Sequence, residues 1–247
     1  MALVASYLKD KISHLRTYVP DRYSEGYGIS KKGIEVANEE GITLIIALDC
    51  GIKAIEKVAY ASKKGIDFNI CDHHRPGDEI PKAKAVLDPK RDDCDYPFKE
   101  LCGCGVGFKL IQALASKKGA TIDDLVLYLD LVATAIGADI VPIVGENRIL
   151  AYHGLKVINE NPRPGFEAIL KQVKKEKLTI TDVVFIIAPR INAAGRMKHG
   201  NHAVTLLCET DNNLAAEYAI DIDTYNTDRR DADKRITIEA LVQIEEN

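Results

Sequence analysis

Apolar residues Leu3, Val4, Tyr7, Leu8, Ile12 and Leu15 recur at helical spacing, so the chain opens inside an amphipathic helix with no capping residue before it. A short strand is expected at residues 17–19. It runs into a loop over residues 20–30 that is too rich in glycine and aromatic residues for helix, after which Ser30 is placed to cap a helix through Asn38. Residues 43–48 form an unbroken apolar run of strand length, the pattern of a strand covered on both faces. A helix over residues 52–63, a strand over 67–71 and a further short strand over 83–87 follow. Strand, helix and strand at this spacing mean right-handed crossovers and a parallel sheet, hence an α/β fold with helices on both faces.

The pattern changes at Gly103. Gly103-Cys104-Gly105-Val106-Gly107 opens a helix through residue 117. These glycines lack the strand-first G-x-G-x-x-G context and a Walker lysine, so close helix packing is expected of them rather than a phosphate cradle. Asp123 or Asp124 starts the next helix, whose body over residues 125–136 is hydrophobic nearly all round and therefore buried. Helices over 147–159 and 165–175 come next, then a segment capped by Thr181 and a loop carrying Arg190, Asn192 and Arg196. Residues 213–246 contain no Gly or Pro and read as one long, mostly exposed helix that joins something. The expected division is an α/β core over 1–160, a helical part of the same domain over 161–212, and a connecting helix over 213–247.

With 247 residues and 46% hydrophobic content the chain can bury a sizeable core. A net charge of -4 carries no global signature of nucleic-acid binding, so a polyanionic substrate must be held by local cations or by metal ions. A sequence-reading DNA-binding module is thereby disfavoured. The six cysteines contain no C-x-x-C pair and are expected to be reduced and structural. No apolar run approaches the roughly eighteen residues of a membrane span, and the first residues lack the order of a signal peptide. A cytoplasmic protein with no membrane association is expected.

In a parallel sheet, ligands bind outside the carboxyl ends of the strands. Asp49 and the triplet Asp72-His73-His74 occupy that position on successive strands. Neighbouring residues on an extended chain point to opposite sides, so His73 and His74 serve one site only if the backbone turns there. One is then a ligand and the other a contact. Asp49 could equally satisfy backbone donors in a strand-to-helix turn. Asp139, between Ala138 and Ile140, is expected to be poorly solvated, and a buried carboxylate must be paired, hydrogen-bonded or on a metal. Two arginines and an asparagine among small residues, at Arg190, Asn192 and Arg196, suit an anion, or else a plain surface loop.

Four motifs stand in order along the chain: Ala47-Leu48-Asp49-Cys50-Gly51, Asp72-His73-His74, Gly137-Ala138-Asp139-Ile140-Val141-Pro142 and Arg190-Ile191-Asn192-Ala193-Ala194-Gly195-Arg196. Together they resemble the DHH phosphoesterase superfamily. The loop from Tyr18 to Gly28 and the stretch Gly103-Cys104-Gly105-Val106-Gly107 resemble its RecJ-type single-stranded-DNA exonucleases. The resemblance implies two divalent ions, manganese or magnesium, and phosphodiester hydrolysis from a 5′ end. It implies Asp49 as bridging metal ligand, His73 and Asp139 as ligands of one metal, and His74 as a contact to the scissile phosphate supported by Asp72. Arg190, Asn192 and Arg196 are implied as DNA phosphate contacts. Asp130 competes with Asp139 for the ligand role, though Asp139 sits in the better motif match. Implied partners are single-stranded DNA and, around it, a single-stranded-DNA-binding protein or a helicase. The family's Asp-x-Asp strand and its second domain have no counterpart in this sequence. The expectation is therefore an impaired or inactive chain that self-associates through an exposed sheet edge. Two other readings stay open: a phosphoesterase of the same superfamily acting on oligonucleotides, cyclic dinucleotides or pyrophosphate, and a non-catalytic interaction protein that keeps the fold.

Overall fold

Three strands, β1 (Leu44–Leu48), β2 (Asp67–Cys71) and β3 (Ala85–Leu87), pair in parallel in the order β1-β2-β3 in a computed structural model that describes residues 1–197 and 200–245. The register sets Leu48 beside Cys71 and Cys71 beside Leu87, so all three strands end on one rim. Side chains alternate across the sheet. Phe68 and Ile70 enter a cluster with Ile34, Ala37, Val58 and Ala61, while Cys71 faces a larger one containing Leu101, Phe108, Leu131 and Ile136. Full burial of a side chain such as Phe68 or Ile70 contributes about 1.5–3 kcal/mol.

The smaller cluster is built by α2 (Lys31–Glu39) and α3 (Ile55–Lys63). Ser30 caps α2 as expected, its side chain accepting from the Gly33 N–H. The larger cluster is built by α1 (Ala2–Leu8), α4 (Gly103–Ser116) and α5 (Leu129–Asp139), with α6 (Gly145–Glu160), α7 (Pro164–Val173) and the helices that follow. Those are α8 (Ile180–Asp182), α9 (Ala188–Met197), α10 (Asn201–Cys208) and α11 (Asn212–Glu245). Residues Ala215, Ala219, Ile222 and Asn226 seat the first half of α11, which packs along α7 and α9. Helices thus cover both faces of the sheet, and among the described residues none is long and apolar enough to cross a membrane.

Several expectations are corrected. α1 stops at Leu8, and the segment after it is largely exposed up to residue 14, so Ile12 and Leu15 do not extend the helix. Residues 17–19 have no strand partner. β1 is an edge strand, with Leu44 exposed and Ile45, Ile46 and Leu48 only half-buried, because among the described residues no strand pairs with its outer side. The cap at residues 179–182 is made by Thr179 with Asp182 in a reciprocal capping box, not by Thr181.

Residues 188–197 are helix rather than loop. Pro189 removes a backbone donor that an α-helix would aim one turn back, and the turn over Val183–Ile187 widens to a π-helical one just before it. The chain absorbs the proline there without breaking.

Candidate metal centre

The rim is organised by Asp72. Its carboxylate, 1% exposed, accepts from the backbone N–H of Ile52 at 2.9 Å, of His73 at 2.8 Å and of His74 at 3.2 Å, and contacts His74 Nδ1 at 2.7 Å. One buried anion therefore ties the end of β2 to the turn after β1. Burial works against its charge, but His74 and the three N–H donors outweigh that and hold its pKa below the usual carboxylate range. The same bonds turn the backbone at the end of β2. His73 and His74 consequently lie in one cluster, ring centroids 4.6 Å apart and edge to face.

Asp49 continues the β1 ladder by one bond, its N–H donating to Cys71 O at 2.8 Å, and then adopts a left-handed φ of 65°. Such a backbone costs about 1–2 kcal/mol in a non-glycine residue, with Asp among the more tolerant. It swings the carboxylate over the rim and against the first turn of α4. There Gly103 leaves the room: a Cβ on it would overlap the Asp49 carboxylate and Cβ. The glycine stretch serves close packing, and what packs against it is the acidic side chain.

Asp49 Oδ1 stands 3.1 Å and Asp139 Oδ2 3.3 Å from His73 Nε2. His73 is buried, and neither of its ring nitrogens has a partner in hydrogen-bond geometry. Burial opposes charge on this imidazole, yet contact with Asp49 and the charge of Asp139 prevail, and its pKa is raised. Asp139 is also raised, by burial first, with His73 pulling the other way and Asp49 adding repulsion. Asp139 is nonetheless less enclosed than expected: it is the last residue of α5, with its side chain 40% exposed, and Ile140 after it turns outward with a φ of 55°. Asp49, His73 and His74 each offer a donor atom within 4.8 Å of the others. A carboxylate oxygen and imidazole nitrogens gathered this closely form a donor set that fits a hard or borderline divalent cation.

Asp130 does not share this role. It is buried on α5 and takes Arg163 in a two-pronged pair, Nε to Oδ2 at 2.5 Å and Nη2 to Oδ1 at 2.7 Å, while Arg163 Nη1 donates to Leu207 O. Arg190 lies on α9, donating to Ile186 O and pairing with Asp223 of α11 at 2.8 Å. Asn192 is exposed on the same helix, and the side chain of Arg196 lies outside the described residues. This group is not brought onto the rim cluster by any contact with it.

Sequence reasoning gave no role to three neighbours of the centre. Asp88, buried at the end of β3, feels the charge of His73, and Lys90 after it acts electrostatically on both His73 and Asp139. Tyr27, 73% exposed, has the Arg22 guanidinium 5.5 Å from its ring centre and feels the charges of Asp49 and Asp139. An acid at a third successive strand end was the available signal for Asp88.

Asp49 and the pair His73-His74 at successive strand ends, with Asp139 brought up from the end of α5, make a candidate divalent-metal centre on a parallel α/β core. The model of the DHH family, N-terminal domain, matches residues 1–136, and the chain belongs to that family. It is similar to the single-stranded-DNA-specific exonuclease RecJ of Bacillus subtilis, 39% identical over 231 residues, covering 93% of this chain and 29% of that protein. The RecJ of Escherichia coli is 36% identical over 245 residues, covering 94% of this chain and 42% of that protein. Among solved structures, exonuclease RecJ bound to manganese superposes with a TM-score of 0.89 at 28% identity, over 98% of this chain and 61% of the other. RecJ of Thermus thermophilus in complex with Mn2+ gives 0.85 at 26% identity, over 98% of this chain and 35% of the other. The chain thus spans under half the length of these curated relatives.

Proposed function

We propose that this chain is the phosphodiesterase core of a metal-dependent nuclease that hydrolyses single-stranded DNA from a 5′ end. The observation that carries the reading is the orphan Nε2 of buried His73 facing Asp49 and Asp139 at 3.1 and 3.3 Å. In this reading Asp49, His73 and Asp139 would hold Mn2+ or Mg2+. The metal supplies an activated water and neutralises charge on the phosphate. His74, half exposed with Nδ1 held by Asp72, presents its other ring nitrogen outward to the scissile phosphate. Tyr27 and Arg22 offer an aromatic face and a cation beside the acids, as single-stranded nucleic acid requires. Arg190, Asn192 and Arg196 contact phosphates farther along the strand, Arg190 by exchanging Asp223 for DNA.

Asp49 and Asp139 are the only carboxylates within 4 Å of His73 Nε2 among the described residues, so this chain is expected to hold ions weakly and to cleave slowly. The reading takes the protein as cytoplasmic, working beside a single-stranded-DNA-binding protein or a helicase, and self-associating along the free edge of β1. The test is the purified chain with Mn2+ on 5′-phosphorylated single-stranded DNA, with oligonucleotides, cyclic dinucleotides and pyrophosphate as comparison substrates, beside His73→Ala. Slow release from the 5′ end that His73→Ala abolishes is expected. Preference for a small substrate, or cleavage indifferent to His73→Ala, rejects it.

A further inference from the structure

Asn147 is the third residue of α6 and is wholly buried. Its side-chain Nδ2 donates to two carbonyls from different parts of the chain, Glu100 O at 2.6 Å and Pro142 O at 3.0 Å. Glu100 stands three residues before Gly103, the residue against which the Asp49 carboxylate packs, and Leu101 and Cys102 between them are buried. Pro142 stands three residues after Asp139, the last residue of α5. Helix ends fray, so the place of Asp139 depends on the turn that follows it. Reversing the amide would set its oxygen against both carbonyls, so the two acceptors fix its orientation. The platform that carries it is firm. α6 lies so close to α5 that Gly154 leaves no room for a Cβ beside Leu129 O, and Glu146, next to Asn147, accepts from Tyr96 OH at 2.6 Å and pairs with Lys109 of α4.

We propose that Asn147 is a positioning residue of the metal centre, its amide holding the backbone before Gly103 and the backbone after Asp139 at one separation and so setting the two site carboxylates relative to each other. The inference rests on the metal-centre reading above. Asp49 Oδ1 and Asp139 Oδ2 reach the same His73 nitrogen at 3.1 and 3.3 Å although they come from β1 and α5, and the segments that seat them meet at this one amide. With the donor gone, Glu100 O and Pro142 O lose their common partner and the two segments are free to part. Groups that hold metal ligands from behind in this way matter to affinity without touching the ion.

The same helix supplies a matched control. Asn159, near the other end of α6, makes a comparable bridge, its Nδ2 donating to Leu178 O at 2.9 Å and its Oδ1 accepting the Leu178 N–H at 2.7 Å, on a segment that carries none of the ligands. Asn147→Leu and Asn159→Leu each remove a side-chain amide at nearly constant volume, and both should lower Tm. Only Asn147→Leu should move the centre. In the metal-free chain the backbone amide signals of Asp49 and Asp139 are expected to shift or broaden in Asn147→Leu and to stay in place in Asn159→Leu. Mn2+ calorimetry, run below both unfolding transitions, is expected to show affinity lowered about tenfold in Asn147→Leu, and unchanged to within about twofold in Asn159→Leu. Signals at wild-type positions in Asn147→Leu, undiminished Mn2+ affinity in it, or an equal loss in both variants overturns the proposal and leaves Asn147 a structural brace. If Asn147→Leu does not fold, Asn147→Ser, shorter and without the amide, is read in the same way. In the wild type itself the Asn147 side-chain amide is expected to be protected from hydrogen exchange, and rapid exchange overturns the proposal. Failure of the wild type to bind Mn2+ overturns the metal-centre reading, and the amide signals still decide whether Asn147 holds Asp49 and Asp139.

Discussion

Replacing Gly103 by alanine tests whether the glycine stretch exists to seat Asp49. In a helical first turn with open space, Gly→Ala stabilises by about 0.4–1 kcal/mol, because the unfolded chain loses freedom. Here the added Cβ would overlap both the carboxylate and the Cβ of Asp49. Rotating the Asp49 side chain cannot relieve contact at its Cβ, so the turn after β1 or the start of α4 must shift. Overpacking of this kind costs about 1–3 kcal/mol. The net loss is therefore up to about 2.5 kcal/mol, or a Tm lower by up to about 10 °C for a chain of this size. Asp49 Oδ1, the atom now 3.1 Å from His73 Nε2, moves with it. Mn2+ affinity is expected to fall at least about tenfold, the equivalent of 1.4 kcal/mol. Gly107→Ala is the control, since its Cβ would meet Val4 at 3.4 Å and Leu48 at 3.5 Å, ordinary contacts, and α4 should be unchanged or firmer. Thermal unfolding and Mn2+ calorimetry on both variants decide. A Gly103→Ala chain with wild-type Tm and affinity refutes the argument.

Arg163→Met would leave Asp130 buried and unpaired, and should cost about 3–5 kcal/mol in denaturant unfolding; a midpoint within error of wild type would show that water reaches the carboxylate. Arg190→Ala, in a form of the protein that binds single-stranded DNA, should weaken binding and reduce the salt slope by about one, whereas an unchanged slope returns Arg190 to its pair with Asp223. The Lys175 ammonium, with Thr179, holds the Asp182 pKa down to about 2. Its stability contribution is thus fully present above the ordinary carboxylate pKa and is lost as pH falls toward 2. Asp182→Asn should accordingly be less stable than wild type at neutral pH and converge with it in acid; a constant difference down the acid limb would contradict this.

The parallel sheet and the residues of the rim were legible because both depend on local pattern. An apolar run at residues 44–48 and the alternating segment 67–71, with Phe68 and Ile70 on one face, mark strands, and polar residues immediately after them fall on the ligand side by geometry alone. The edge position of β1 was not legible, since an unbroken apolar run does not say whether a neighbour exists to cover it. Helix α9 was missed because Pro189 and small residues read as loop, whereas the π-helical turn that accommodates the proline packs against α5 and α9 itself packs against α11. Asp130 and Asp139 sit nine residues apart on one helix, and only the tertiary position of Arg163 separates a structural acid from a site acid. Asp88 escaped notice for a related reason: what distinguishes it is an unpaired buried oxygen, which exists only in three dimensions.

Charge separates what this rim does alone from what it does with substrate. Asp49 and Asp139 bring two negative charges to the cluster, enough to balance one dication, while His73 and His74 add donors without charge when neutral. A second dication beside the first would meet repulsion that no further carboxylate within 4 Å of His73 Nε2 offsets among the described residues. Under the proposed function, a phosphodiester or a terminal phosphate entering against His74 would supply the missing negative charge. Phosphate and a second ion would then favour each other's binding, each raising the affinity for the other by the same factor. On that reading substrate would complete the charge balance of the centre rather than find it already complete. Lys90 opposes this coupling in part, because a cation that already lowers the pKa of Asp139 also weakens the hold of the rim on a metal ion while strengthening its hold on phosphate.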